Sequence, residues 1–313
     1  MRSLLALVAA AFMLAAPPAE AQQSITILTG GTSGIYYPLG VALGEIYEKE
    51  IPNVKTQVQA TKASVENLIL LQQRRGDIAF TLGDALKAAW DGDEDAGFKS
   101  KLADLRAIAA IYPNYIQLMA VKDSNIRTVT DLRGKSLSVG APKSGTELNT
   151  RAILRAARMT YADIGKIDYL PFAESVDLMK SGRLSATLQS AGLGVASLRD
   201  LSNAMEVTVV AVPKAIVDRM GSPFIPATIP ANTYEGQDSD VETAAVPNYL
   251  VTHSGVSEQL VYEMTKLLFE SLPALASAHA AGGHIKLENA LTGVPIPLHP
   301  GAERYYREKG LKN

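Results

Sequence analysis

The chain of 313 residues contains no cysteine and only four histidines. Without cysteine it can form no disulfide, thiolate nucleophile, iron–sulfur cluster or cysteine-ligated zinc site. Its 30 Lys and Arg residues are matched by 32 Asp and Glu residues, for a net charge of −2, so the chain lacks the strongly basic balance typical of nucleic-acid-binding proteins. The histidines do not have the spacing of a helical zinc pair. We therefore expect no nucleic-acid partner, no metal site and no cofactor.

A long hydrophobic span is also missing, but the N-terminus has a short one. Residues 4–16 are uncharged and apolar, and they follow Arg2 and precede Pro17-Pro18. This stretch is shorter than the ~20 residues that a permanent membrane helix needs. Ala19-Glu20-Ala21 fits the small-x-small pattern of a signal-peptidase site. We predict that residues 1–21 are a signal peptide, with cleavage near Ala21-Gln22, and that the protein is exported to the periplasm.

Strand-like and helix-like segments alternate along the rest of the chain. Residues 24–29 and 136–140 have the β-branched, alternating character of strands. Each is followed, after a loop, by apolar residues at helical spacing, in residues 39–51 and 145–158. This alternation predicts an α/β fold built on mostly parallel sheets flanked by helices.

Prolines and polar residues mark the ends of several other predicted elements. Residues 107–111 and 115–121 are predicted as two strands on either side of a turn at Pro113-Asn114. Residues 223–230 are rich in proline and are predicted to be irregular. Residues 64–75 are predicted as a helix with Ser64 as its N-cap.

Two loops carry Gly, Ser and Thr immediately before a predicted helix, at residues 30–34 and 143–146. The N–H groups in the first turn of a helix have no helical acceptor and lie at the positive end of the helix dipole. Such a loop can bind a carboxylate or phosphate. Either loop alone is better explained as a tight turn with a Ser or Thr cap, and neither matches a nucleotide-binding fingerprint. The presence of both favours an anion-binding site.

The first of these loops carries a specific resemblance. Residues 29–40, TGGTSGIYYPLG, resemble the TGGT-x-G-x-YYP-x-G opening of the TAXI solute receptors of TRAP transporters. The resemblance continues in order through the mature chain, at residues 64–68, 82–84, 144–147, 229–234 and 297–302. It departs from the family pattern at Ala63, which is usually glycine, and in the segments 81–84 and 189–192.

The resemblance implies a monomeric, two-lobed periplasmic binding protein that closes on a small solute and delivers it to a TRAP membrane permease. Residues 22–119 together with 250–313 would form lobe one, and residues 120–249 would form lobe two. The ligand-binding residues that it implies are Gly31, Thr32, Ser33, Tyr36, Asn67, Gly83, Asp84, Ser144, Gly145, Thr146, Gln189, Ser190 and Ala191.

We expect the solute to be a small organic anion, either a dicarboxylate or an acidic amino acid, held by helix N-termini and hydroxyl groups. Two alternatives use the same scaffold, because a fold does not settle a function. One is an exported enzyme, for which Asp84 and Glu147 are the candidate catalytic groups. The other is a ligand sensor that presents its closed form to a signalling partner. No serine-hydrolase motif is present, and we do not expect catalysis.

Overall fold

The structure, a computed structural model, describes residues 22–311. The predicted signal peptide, residues 1–21, lies outside the described residues. The strands are β1 Gln23–Leu28, β2 Val54–Gln59, β3 Ile78–Leu82, β4 Leu105–Val121, β5 Ser136–Ser138, β6 Lys166–Asp168, β7 Ala186–Ala191, β8 Val207–Val210, β9 Ile225–Ile229 and β10 Val241–His253. The helices are α1 Tyr36–Glu50, α2 Ser64–Gln72, α3 Gly83–Asp91, α4 Gly145–Ala156, α5 Phe172–Lys180, α6 Ala196–Ala204, α7 Lys214–Met220, α8 Glu258–Glu270, α9 Leu272–Ala278 and α10 Pro300–Glu308.

The ten strands of residues 22–311 form one mixed sheet; eight of them follow the order β2-β1-β3-β10-β4-β7-β5-β6, β8 pairs with β4, and β9 pairs with β10. We call β2, β1 and β3 with their helices the β1 side, and β7, β5 and β6 with theirs the β5 side. Within each side the three strands run parallel, as the alternation of strands and helices predicts. The two sides are joined by β10 and β4, which run antiparallel to each other and to their outer neighbours.

Strand β4 is continuous over 17 residues, so the prediction of two strands with a turn at Pro113-Asn114 is wrong. Pro113 lies opposite Pro247 of β10, and the register between the two strands shifts next to this pair. Proline has no N–H group to give to a ladder, and facing prolines are tolerated where the ladder is already irregular. From Tyr115 onward β4 pairs with β7, so this irregular point is where β4 passes from one side to the other.

The proline-rich segment 223–230 is also more regular than predicted. Its residues 225–229 form β9, which pairs with β10 and places Pro226 opposite Ala244. An edge strand needs hydrogen bonds along only one of its two sides, which is why it accommodates a proline.

Each side has its own cluster of buried apolar residues. On the β1 side, Leu28, Leu68 and Leu86 belong to one cluster; on the β5 side, Leu137 and Leu188 belong to another. The predicted lobe boundaries at 119/120 and 249/250 fall inside β4 and β10, and they stay a prediction. Across residues 22–311, no helix combines the length and the apolar character that crossing a bilayer requires.

Candidate functional site

A cavity opens between the two sides of the sheet. Its walls come from the loops that lead into α1, α2, α4 and α5, together with parts of β4 and β7. The empty space is about 750 Å³, part of it open to solvent. Because the walls belong to both sides, any movement of one side against the other changes the shape of this cavity.

The loop before α1 leaves its backbone open to the cavity. The helix begins after Ile35 and has no side-chain cap, and a Cβ placed on Gly31 would meet nothing within 4 Å. Ser33 and Tyr36 line the cavity beside it. The Tyr36 ring stacks on Phe80 with centroids 5.1 Å apart, and burial raises the pKa of the Tyr36 hydroxyl. Tyr36 therefore stays neutral and fixed in position.

The loop before α4 is packed instead of open. The Ser144 side chain accepts a hydrogen bond from the Glu147 backbone N–H at 3.1 Å, so Ser144 caps α4, which is the arrangement of the alternative explanation for this loop. A Cβ on Gly145 would lie 2.6 Å from both Ser64 Oγ and Leu82 Cδ1. Only glycine therefore allows the start of α4, on the β5 side, to lie this close to the β1 side.

The start of α2 differs in detail from the prediction. Ala63 occupies the N-cap position, with φ of 71°, and Ser64 is the first helical residue. The Ser64 hydroxyl accepts a hydrogen bond from the Leu82 N–H at 3.1 Å instead of capping α2, so its prediction as N-cap is wrong. The preceding Lys62 is exposed and lines the cavity.

The electrostatic character of the cavity follows from these helix starts. The first turns of α1, α2, α4 and α5 all border it, and each brings N–H groups and a partial positive charge. Among the described residues that line it, Lys62 is the only charged one. With no acidic lining side chain, the arrangement is suited to binding an anion.

A buried carboxyl group lies behind the cavity wall. Asp84, in the first turn of α3, accepts a hydrogen bond at 2.6 Å from the side-chain amide of Asn149 on α4. The Asn149 side-chain oxygen accepts a hydrogen bond from the Ser190 hydroxyl at 2.7 Å. Burial raises the pKa of Asp84 to about 7. This chain of hydrogen bonds ties the two sides of the sheet together.

The structure brings eight of the thirteen predicted site residues together around the cavity. These are Gly31, Ser33, Tyr36, Ser144, Gly145, Thr146, Ser190 and Ala191. The other five, Thr32, Asn67, Gly83, Asp84 and Gln189, do not line it.

Asn67 and Gln189 support the cavity from behind. The Asn67 side-chain amide donates to the backbone carbonyls of Thr29, at 2.7 Å, and Phe80, at 2.8 Å. It thereby holds the end of β1, where the α1 loop begins. The Gln189 side-chain oxygen accepts a hydrogen bond from Ser197 at 2.6 Å.

The two candidate catalytic groups do not face the cavity. Asp84 is behind the wall, as described above. Glu147 is ion-paired with Arg151 at 2.7 Å and accepts a hydrogen bond from the Tyr161 hydroxyl at 2.8 Å. Within residues 22–311, no group of three or more His, Asp or Glu side chains is arranged to hold a metal ion.

Sequence reasoning missed several lining residues, and they share no local motif. They include Thr61, Lys62, Tyr112, Asn114 and Phe172. Tyr112 and Asn114 alternate along a strand, and their place in the wall depends on where β4 changes partners, which is a long-range property.

Comparison with known proteins identifies the architecture. The model of the NMT1-like family matches residues 27–310. The binding-protein component of an ABC phosphonate transporter from Pseudomonas aeruginosa is 10% identical, with a TM-score of 0.56 over 84% of this chain and 80% of that chain. The alkanesulfonate-binding protein from Xanthomonas axonopodis pv. citri, bound to MOPS, is 14% identical, with a TM-score of 0.52 over 94% of this chain and 96% of that chain.

A putative L-cystine ABC transporter protein from Listeria monocytogenes is 15% identical, with a TM-score of 0.51 over 86% of this chain and 98% of that chain. At identities this low, the likeness to solved structures shows the fold alone. The chain has the two-lobed α/β fold of periplasmic binding proteins, and the predicted fold class is confirmed.

Proposed function

This chain belongs to the NMT1-like family. From that premise we propose that it is an exported solute-binding protein, which captures a small organic anion in the cavity and delivers it to a membrane permease. The observation that carries this proposal is the meeting of four helix N-termini at a cavity that has no acidic side chain among its lining residues within 22–311. Backbone N–H groups at helix starts bind carboxylates without needing a basic side chain.

Capture of a solute also requires that the protein closes around it. Two connecting strands, β4 and β10, link the sides of the sheet, and a pair of such connections is the usual hinge of a closing two-domain protein. Contacts across the cleft are already present: the Glu66 N–H on α2 donates to the Lys143 carbonyl at 3.2 Å, and Asn149 donates to Asp84. We propose that residues 22–119 with 250–313 move as one lobe and residues 120–249 as the other.

The class of permease is the finer part of the proposal. The motif at residues 29–40 resembles the TAXI receptors, which supports delivery to a TRAP-type permease. The names of two structural neighbours point to a second candidate, because they are assigned to ABC transporters. Reconstituting uptake with each class of permease distinguishes the two, since only the true partner transports the solute when this protein is added.

A thermal-shift screen of the chain from Gln22 onward tests the anion assignment. The panel contains carboxylic acids, amino acids, sulfonates and sugars, and a ligand at 100 times its Kd adds ~2.7 kcal/mol to the free energy of unfolding. We expect a shift confined to a few related acids, each recovered unchanged. A shift with sugars alone, or recovery of a converted compound, would contradict an anion receptor.

A matched pair of variants shows whether binding occurs in this cavity. Lys62→Gln removes the charge at the cavity, whereas Lys99→Gln removes an exposed charge in a loop outside the lining. We expect Lys62→Gln to weaken binding of the anion about two- to five-fold, as an exposed ion pair does, and Lys99→Gln to leave it unchanged. Equal effects of both variants would indicate that the anion binds elsewhere.

A further inference from the structure

Strand β4 presents two polar side chains to the cavity. Tyr112 and Asn114 both line it, and they share one face of the strand because side chains alternate along a strand. The intervening Pro113 is exposed. Both lining residues are buried, with 4% of Tyr112 and 1% of Asn114 accessible.

Both side chains have hydrogen-bonding capacity that the protein does not use. The Asn114 side-chain nitrogen is buried without a hydrogen-bond partner among residues 22–311. The Tyr112 hydroxyl has no hydrogen bond within the same described residues, although the Tyr112 backbone carbonyl has one. A buried polar group left without a partner costs about 1–3 kcal/mol, so a ligand that accepts a hydrogen bond from the Asn114 nitrogen recovers that free energy.

The position of the pair follows from the path of β4. Asn114 lies opposite Val246 of β10, and the next residue, Tyr115, already pairs with Ala191 of β7. The pair therefore lies where β4 passes between the lobes, at the floor of the cavity. Asn248 holds this region in place: its amide donates to the Tyr112 carbonyl at 3.1 Å, and its side-chain oxygen accepts from the Tyr36 hydroxyl at 2.5 Å.

The chemistry of the two groups defines what they can recognise. The Asn114 amide nitrogen is a donor only. Burial raises the pKa of the Tyr112 hydroxyl, so it stays protonated and can also donate. The lining also contains the apolar residues Ile35, Leu82 and Phe172. The cavity thus combines hydrogen-bond donors from β4 and from the helix N-termini with apolar side chains.

Building on the proposed function, we infer that Tyr112 and Asn114 are the specificity-determining residues of the site. They donate hydrogen bonds to a second oxygen group of the bound anion, while the helix N-termini hold its first carboxylate. The site then selects dicarboxylates and oxo or hydroxy acids over alkyl monocarboxylates of the same length.

The experiment compares ligands of equal carbon number on three proteins. Isothermal titration with glutarate, 2-oxopentanoate and pentanoate is run on the wild type, Tyr112→Phe and Asn114→Asp. Tyr112→Phe keeps the ring and removes only the hydroxyl, whereas Asn114→Asp keeps the shape and replaces a donor by an acceptor. Tyr115→Phe is the matched control, since its half-buried side chain is on the other face of β4 and outside the lining.

For the wild type we expect glutarate or 2-oxopentanoate to bind at least tenfold more tightly than pentanoate. Tyr112→Phe should weaken binding of the preferred acid about 10- to 100-fold, which corresponds to the loss of a hydrogen bond to a charged group. Binding of pentanoate should change little. Asn114→Asp should abolish binding of the preferred acid, and Tyr115→Phe should behave as the wild type.

The possible failures are distinguishable. If the wild type binds none of the acids in the wider thermal-shift panel, the proposed anion receptor is wrong and this inference falls with it. If the wild type binds an acid but Tyr112→Phe and Tyr115→Phe retain equal affinity and selectivity, the inference alone is overturned. Melting of each ligand-free variant shows that it is folded, and Tyr112→Phe decides the outcome if Asn114→Asp does not fold.

Discussion

The loops that lead into α1 and α4 have similar compositions and different environments. In the α1 loop no side chain caps the helix, and the space beside Gly31 is open for 4 Å. In the α4 loop the Ser144 hydroxyl caps the helix, and the space beside Gly145 is filled by Ser64 and Leu82.

The difference shows that glycine has two separate uses in this fold. At Gly31 the missing side chain leaves the backbone open to the cavity, whereas at Gly145 it lets the two sides of the sheet approach each other. Substitutions in the α1 loop should therefore change ligand affinity, and substitutions around the α4 loop should change stability. Three predictions test this contrast.

The largest expected effect concerns Asp84, which holds α4 against the β1 side through Asn149. Burial raises the pKa of Asp84 to about 7, whereas a carboxyl group in an unfolded chain titrates near pH ~4. Between about pH 4 and pH 7 the Asp84 carboxyl group keeps its proton in the folded state and has lost it in the unfolded state. The contribution of this proton to the free energy of unfolding is therefore complete below about pH 4 and is lost as the pH rises through about 7.

Urea unfolding at pH 5 and pH 8 measures this effect. Relative to Asp84→Asn, the wild type should lose about 3 kcal/mol of unfolding free energy between the two pH values. Asp91→Asn is the control, because Asp91 is an exposed carboxylate on the same helix, paired with Lys87. Parallel pH dependences of the wild type and Asp84→Asn would show that Asp84 ionises at its ordinary pH.

The second prediction compares the two glycines directly. Gly145→Ala forces a Cβ against the buried Ser64 and Leu82. Overpacking of this kind costs about 2 kcal/mol, more than the gain of up to about 1 kcal/mol from the better helix propensity of alanine. Gly31→Ala should change the unfolding free energy by less than about 0.5 kcal/mol. Denaturant unfolding measures both, and equal losses would remove the distinction between the loops.

The same contrast explains how far the sequence predicts the site. The glycine loops are local signals, and the structure places Gly31, Ser33, Ser144 and Gly145 from them around one cavity. Asn67 belongs to a local motif as well, but its side chain bonds to backbone carbonyls, and a motif does not reveal in which direction a side chain points.

Tyr112 and Asn114 could not be found in this way. Pro113 and Asn114 suggest a turn, because proline and asparagine are both typical turn residues. Pro113 is accommodated only because Pro247, 134 residues further along the chain, lies opposite it in an irregular part of the ladder. The alternation of strands and helices predicts the parallel strands of each side, whereas the long central strands depend on pairings between distant segments.

The last prediction separates the two serines by their effects. Ser144→Ala removes the hydroxyl that caps α4 and should lower the unfolding free energy by about 1 kcal/mol. Ser33 lines the cavity at the start of α1. Ser33→Ala should leave stability unchanged and weaken binding of the anion identified in the screen about two- to tenfold, because the anion loses a hydrogen bond from the hydroxyl. Unfolding and titration of both variants give four measurements. A stability loss for Ser33→Ala as large as that for Ser144→Ala would mean that the α1 loop, too, serves mainly to hold its helix.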